Sequence, residues 1–228
     1  GRMHPEVAEF ANKQFYNGQL QACGLQHQVI AIPQPRVLFY TCTPSSDSDL
    51  LSVASRKSSP KNSDNRVLES GIPSAKLNFD EAQLIVHLAV NIYKEIQHRG
   101  VPFDLDKELG IIVPYRHQIT MVRSLLQTSA YPVLANVTID TVERFQGSEK
   151  NVIIYGFTVS RPSQLSFLCD SQFIDQQGLL IDRKLNVALT RARERTLLVG
   201  NPEILESVPL FAKLIAEVPR GDIGKLKT

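Results

Sequence analysis

The chain has 228 residues, 43% of them hydrophobic and 21% charged, with a formal net charge of +2. That is the composition of an ordinary globular protein with apolar residues enough for a sizeable core. It excludes a disordered chain, a span built on a long apolar run, and a surface so basic that charge alone would argue for nucleic acid.

Cys23, Cys42, Cys169 and the five histidines are scattered along the chain. None falls at metal-ligand spacing, so no metal site is expected, and the thiols read as small buried hydrophobes in a reducing compartment. No signal peptide opens the sequence, so an intracellular protein without membrane contact is expected. The chain begins at Gly1 and runs at once into a dense motif, as a piece of a longer polypeptide would.

From the amino end, Pro5 to Phe15 has a proline suited to a first helical turn and Val7, Ala8, Ala11 and Phe15 at helical spacing; Asn17-Gly18 ends it. Arg36 to Thr41 is β-branched and aromatic, the pattern of a buried strand. Residues 43–73 are rich in Ser, Pro, Asn and Asp and read as a flexible surface insertion within a single domain spanning 1–228. Phe79 to His98 is a long helix that Asn78 or Asp80 can cap, with Leu84, Leu88, Ile92 and Ile96 in one stripe. Leu109 to Pro114 is a strand, Tyr115 to Leu126 a helix, Asn136 to Asp140 and Asn151 to Phe157 strands. Arg183 to Arg193 is a helix, Thr196 to Val199 a strand, and Pro202 to Leu205 and Pro209 to Ala216 closing helices. Strands alternating with helices predict an α/β fold, a parallel sheet covered on both faces. In such sheets ligands meet the loops at the carboxyl ends of strands, where the chemistry-bearing segments are expected to gather.

Those segments are three. Arg2-Met3-His4-Pro5 sets an arginine just before a helix start, where a guanidinium and helix N-terminal amides can converge on a phosphate. Thr138 to Lys150 is a polar turn holding Thr141, Gln146, Gly147 and Glu149; its glycine lets backbone approach a ligand and its carboxylate can accept a ribose hydroxyl. In Leu185 to Arg195, a helix would place Leu185, Ala188, Leu189 and Ala192 on one buried face, with Arg191 and Arg193 flanking it. An arginine aimed at a γ-phosphate stabilises charge in phosphoryl transfer.

Taken in order, these segments resemble the superfamily 1B helicases of the Upf and senataxin type, including the replication helicase-nucleases built on the same motor. The stretch RMHPEVAEFANKQFYNGQL resembles motif IV, with Gly1 where the family usually has tyrosine. IIVPYRHQITMVRSLL resembles motif IVa, with Val113 where the family often has threonine. TIDTVERFQGSEKNVIIYGFTVS resembles motif V, and KLNVALTRARERTLLVGN motif VI. The resemblance covers most of the chain except 43–73 and the tail. It implies the second, RecA-like half of an ATP-dependent helicase. Arg2 and Arg191 would meet the γ-phosphate, Gln146, Gly147 and Glu149 would lie at the nucleotide, and Pro114, Tyr115, Arg116, Thr138 and Thr141 would touch single-stranded DNA or RNA. Arg193 would be a structural partner. The phosphate loop G-x-x-x-x-G-K-[ST] is absent from the sequence, so ATP and Mg²⁺ would be gripped mainly by an N-terminal RecA-like domain of the same polypeptide. Other readings left open are a non-catalytic RecA-like binding module and the motor end of a helicase-nuclease.

Overall fold

The computed structural model describes residues 1–32, 34–43, 76–176 and 178–226. The insertion expected at 43–73 lies outside the described residues apart from Thr43.

The first helix, α1 (Pro5–Phe15), starts where proline needs no N–H bond. His4 caps it, Nδ1 accepting the Glu6 N–H at 3.2 Å. It ends where Asn17 and Gly18 turn to positive φ, 50° and 75°. The strand β1 (Val37–Thr41) follows. Helix α2 (Phe79–His98) is capped by Asn78, whose Oδ1 accepts the Glu81 N–H at 3.0 Å, and it buries Ile85, Leu88, Ala89, Ile92 and Ile96. Then come β2 (Leu109–Ile112), α3 (Arg116–Thr128), β3 (Thr138–Asp140) and β4 (Lys150–Gly156). A short helix, α4 (Leu165–Leu168), leads into an antiparallel hairpin, β5 (Gln172–Ile174) and β6 (Leu180–Asp182). The chain continues through α5 (Arg183–Leu189), β7 (Ala192–Gly200), α6 (Pro202–Leu205) and α7 (Pro209–Glu217).

Five strands form one parallel sheet in the order β1-β7-β4-β2-β3. One face packs on α1, α5 and α7 around Phe39, Phe145, Phe157, Leu198 and Phe211. The other packs on α2 and α3 around Ile85, Leu88, Ile111, Ile154 and Leu197. This is the expected RecA-like α/β fold: strands covered on both sides, with near-continuous apolar runs. Gly110 in β2 is needed for close approach, since a Cβ there would lie 2.8–2.9 Å from Phe145, Ile153 and Lys150. Among the described residues no helix is long and apolar enough to cross a membrane.

Several sequence expectations need correcting. The helix expected over Arg183 to Arg193 stops at Leu189. The Thr190 N–H reaches the Asn186 and Val187 carbonyls together, both at 3.1 Å, closing the last turn, and Ala192 then pairs with Lys150. Sheet pairing overrides the local helical pattern. Arg191 therefore sits in a turn and Arg193 on a strand. The strand expected from Asn136 starts at Thr138, because Pro132–Asn136 forms a 3₁₀ turn. The hairpin of β5 and β6 was not foreseen. Of the thiols, Cys42 is buried, Cys169 half-buried and Cys23 exposed.

Candidate functional site

Arg2 and Glu149 meet at the amino end of β4, and the Arg191 backbone lies beside them at the amino end of the neighbouring β7. Glu149 immediately precedes β4, and the Lys150 N–H donates to the Arg191 carbonyl at 3.0 Å, so the turn before β7 lies against the turn before β4. Arg2 reaches the same place: its Nη1 lies 3.6 Å from Glu149 Oε1. The His4 N–H donates to the Arg193 carbonyl at 2.7 Å, fixing the amino-terminal segment beside β7.

The Arg2–Glu149 pair is a surface pair, with 72% and 34% of its side chains exposed. Such pairs contribute about 0–1 kcal/mol, so Arg2 can trade its partner for another anion at little cost. Arg191 is held more firmly. Its Nε donates to the Val187 carbonyl at 3.3 Å and its Nη2 to Thr190 Oγ1 at 3.2 Å. A cation there also complements the carboxyl end of α5.

A small network steadies the segment around Arg2. His27 Nε2 bonds to the Arg2 carbonyl at 2.6 Å, and His27 Nδ1 lies 3.4 Å from an Arg193 nitrogen. Gln28 donates to the carbonyls of Gly1 and Met3, both at 2.7 Å. Burial, with Arg36 nearby, holds the His4 imidazole below its ordinary range. Arg193 thus serves this network through its carbonyl and its guanidinium, beside the nucleotide candidates.

The cluster stands at the amino edge of the sheet, which corrects the expectation that all three segments lie at carboxyl ends. Only part of the second segment does. Thr141 follows β3 at the carboxyl edge, while Glu149 precedes β4 at the amino edge. Over its seven residues β4 spans roughly 20 Å. The connection from Thr141 to Glu149 therefore travels the depth of the sheet. Phe145, fully buried, and Val142 pin it to the core, while Gln146 and Gly147 stay exposed, Gly147 at φ 85°.

Pro114, Tyr115 and Arg116 form the turn at the carboxyl end of β2, next to Thr141 after β3. Tyr115 is buried and stacks on Phe167, ring centroids 5.0 Å apart at 30°. The turn offers solvent its backbone, the exposed Arg116 and the first N–H groups of α3. Thr138 is half-buried at the start of β3, three residues before Thr141. The structure thus divides the candidates between the two edges of the sheet, joined by the Phe145 connection, with Thr138 set inside the sheet opposite Gly110.

Sequence reasoning missed the His27–Gln28 network and, most of all, Glu81. Glu81 is fully buried beyond the carboxyl end of β4, accepting the Thr158 N–H at 2.8 and 2.9 Å and the Thr158 hydroxyl at 2.8 Å. Burial pushes its carboxyl up to about 8, against the lowering pull of those bonds. Among the described residues, no three His, Cys, Asp or Glu side chains gather as metal ligands would.

Comparison with known proteins places this geometry in context. A family model described as an AAA domain matches residues 2–203. The putative helicase mov-10-B.2 of Danio rerio is 27% identical over 94% of this chain and 20% of its own length. The probable helicase MAGATAMA 3 of Arabidopsis thaliana is 30% identical over 94% of the chain and 23% of its own length. Helicase sen1 of Schizosaccharomyces pombe is 26% identical over 94% of the chain and 11% of its own length. The chain therefore spans 11–23% of the length of these relatives. Among solved structures, the C-terminal domain of a possible DNA helicase from Lactobacillus plantarum aligns over 97% of this chain and 98% of its own, with a TM-score of 0.46 and 12% identity.

Proposed function

The chain belongs to the AAA domain family of superfamily 1 helicases of the Upf and senataxin type, and from that membership we propose that it is the second, RecA-like motor half of an ATP-dependent helicase. The observation that carries this reading is the Arg2–Glu149 pair at the amino end of β4, with the Arg191 backbone bonded to Lys150 beside it at the amino end of β7. Two guanidinium groups and a carboxylate on one edge suit a nucleotide whose phosphates are gripped from the other side by a further domain. Phosphoryl transfer of this kind depends on positioning and charge neutralisation.

On this reading ATP lies between the amino edge and an N-terminal RecA-like domain of the same polypeptide, which supplies the phosphate loop and holds Mg²⁺. Arg2 leaves Glu149 for the γ-phosphate as the cleft closes. Arg191, anchored by Val187 and Thr190 before nucleotide arrives, meets the same phosphoryl group, so little reorganisation is needed at the moment of reaction. Glu149, released from Arg2, faces the ribose or phosphates, and Gln146 and Gly147 line the approach.

Single-stranded nucleic acid lies across the opposite edge. There the α3 N-terminus and Arg116 favour a phosphate, with Pro114, Tyr115 and Thr141 bordering it. Backbone contacts of this kind carry little sequence preference. The Thr141–Glu149 connection touches both edges. A shift of Glu149 when Arg2 changes partner is passed along a segment clamped by Phe145 to the turn beneath the strand. Hydrolysis releases the arginine clamp, the domains part, and the carboxyl-edge loops advance.

Arg191→Ala in the polypeptide carrying both domains tests the assignment. Hydrolysis should fall by about 10³-fold or more, as for loss of an arginine finger, with nucleic-acid affinity preserved. Unchanged turnover would remove Arg191 from this role.

A further inference from the structure

Just beyond β4, the chain holds a turn in a conformation that its own sequence disfavours. Thr158 has φ 51°, a region disfavoured for a non-glycine residue and unusual for a β-branched one. Glu81 keeps it there through three hydrogen bonds, with both residues fully buried. Gly156 makes room, since a Cβ there would lie 2.6 Å from Glu81 Oε1. Past Thr158, Gln164 Oε1 accepts the N–H groups of Ser160 and Arg161, each at 2.8 Å. The N–H groups of Thr158, Ser160 and Arg161 are thus all held by side chains, and the turn ends on the exposed Arg161.

A connection between a strand and a short helix needs none of this. Glycine at 158 and an apolar residue at 81 would remove both the strained backbone and the buried carboxyl. Strain and buried ionisable groups collect where a backbone must be held for a ligand.

The same first turn of α2 also grips the neighbouring strand end. The Asn78 N–H donates to Gln118 Oε1 at 2.9 Å, and Gln118 Nε2 donates to the Asn78 carbonyl at 2.8 Å. Gln118 belongs to α3, directly after the Pro114–Arg116 turn. Phe167, a few residues past Arg161, stacks on Tyr115. One bracket, centred on the buried Glu81 and Gln118, therefore braces the ends of β2 and β4, hydrogen-bonded neighbours in the sheet, each followed by an exposed arginine. Three carboxylates near these turns already have cations. Asp140 pairs with Arg144 at 3.7 Å, and Glu143 and Asp170 pair with Lys184 at 3.8 and 2.8 Å.

We propose that the Thr158–Arg161 turn is a second phosphate contact for single-stranded nucleic acid, with Arg161 as the binding cation and Glu81 as the positioning residue that holds the turn beside Arg116. The proposal rests on the carboxyl edge being the nucleic-acid face and adds Arg161, the residue just past the motif V stretch, to the site residues already placed there. A guanidinium fork receives phosphate oxygens whatever the base, so the contact adds affinity and salt dependence without sequence preference.

The test is fluorescence anisotropy of a short labelled oligothymidylate with the 228-residue chain across a salt series. Arg161→Ala should weaken binding several-fold at low salt and flatten the slope of log K against log salt by about 0.7, the loss of one contact. Glu81→Gln should also weaken binding and speed amide exchange at Thr158–Arg161. Added to Arg161→Ala it should do nothing further to affinity, whereas a merely structural role would add its own loss. If Glu81→Gln does not fold, Thr158→Gly keeps the N–H bond while removing strain and hydroxyl, and it should weaken binding in the same non-additive way. An unchanged slope in Arg161→Ala, with Arg116→Ala still lowering it, overturns this contact alone. Additive losses overturn the positioning role, and failure of the wild-type chain to bind overturns both this contact and the nucleic-acid face.

Discussion

Glu81→Gln removes a carboxyl whose proton equilibrium is set by the fold. Burial lifts that group from 4.5 to about 8, while the Thr158 hydroxyl and N–H pull the other way. In the unfolded chain the group returns to its ordinary value. Across that window the folded chain therefore holds a proton that the unfolded chain gives up. The stability so gained is complete below the ordinary carboxylate range, declines as pH rises, and is lost above about pH 8. At about 1.4 kcal/mol per unit, the full displacement amounts to ~5 kcal/mol. For a chain of this size that is a fall in melting temperature of roughly 10–20 °C. Thermal or urea midpoints of the wild type and the variant between about pH 5 and 9 give the measurement, and the difference between them isolates Glu81 because other titrating groups are common to both. The wild type should lose stability relative to Glu81→Gln as pH rises. A difference that stays flat, or that moves in favour of the wild type, would refute the reasoning.

Phe145→Ala should cost about 3–5 kcal/mol in urea unfolding, since the ring is fully buried beneath the connection between the two edges. A loss under about 1 kcal/mol would mean that the connection is not anchored there. With a thiol reagent in native buffer, the exposed Cys23 should react first. Cys42, buried and pushed up to about 12, should react only on unfolding, and Cys169, half-buried and pushed up to about 11, should fall between them. Fast native labelling of Cys42 would contradict its placement against the core.

Where structure is set locally, the sequence announces it. The bounds of α1 and α2 follow from Pro5, from the Asn17-Gly18 turn and from Asn78, each acting within a few residues of the helix end. Where structure is set by distant partners, the sequence misleads. The run after Asp182 has helical spacing through Ala192, yet Ala192 is claimed by Lys150 across the sheet. The hairpin strands are three residues each and part-exposed, too short for alternation to register. Glu81 is hidden for a related reason: Asn78 followed by Asp80 and Glu81 reads as an ordinary acidic first turn, and its partner Thr158 lies 77 positions away. The motif residues themselves are legible from their order. What the sequence does not convey is that they divide between two edges of the sheet, because the Thr141–Glu149 segment looks like a single loop until β3 and β4 are placed.

The central claim is that the amino edge completes a nucleotide site whose other wall belongs to a different domain. ATP hydrolysis by the 228-residue chain alone, set against the same chain joined to its N-terminal RecA-like domain, tests it most directly. No turnover is expected from the chain alone, and turnover that depends on Arg2 and Arg191 is expected from the joined polypeptide. Arginine-dependent hydrolysis by the isolated chain would contradict the claim.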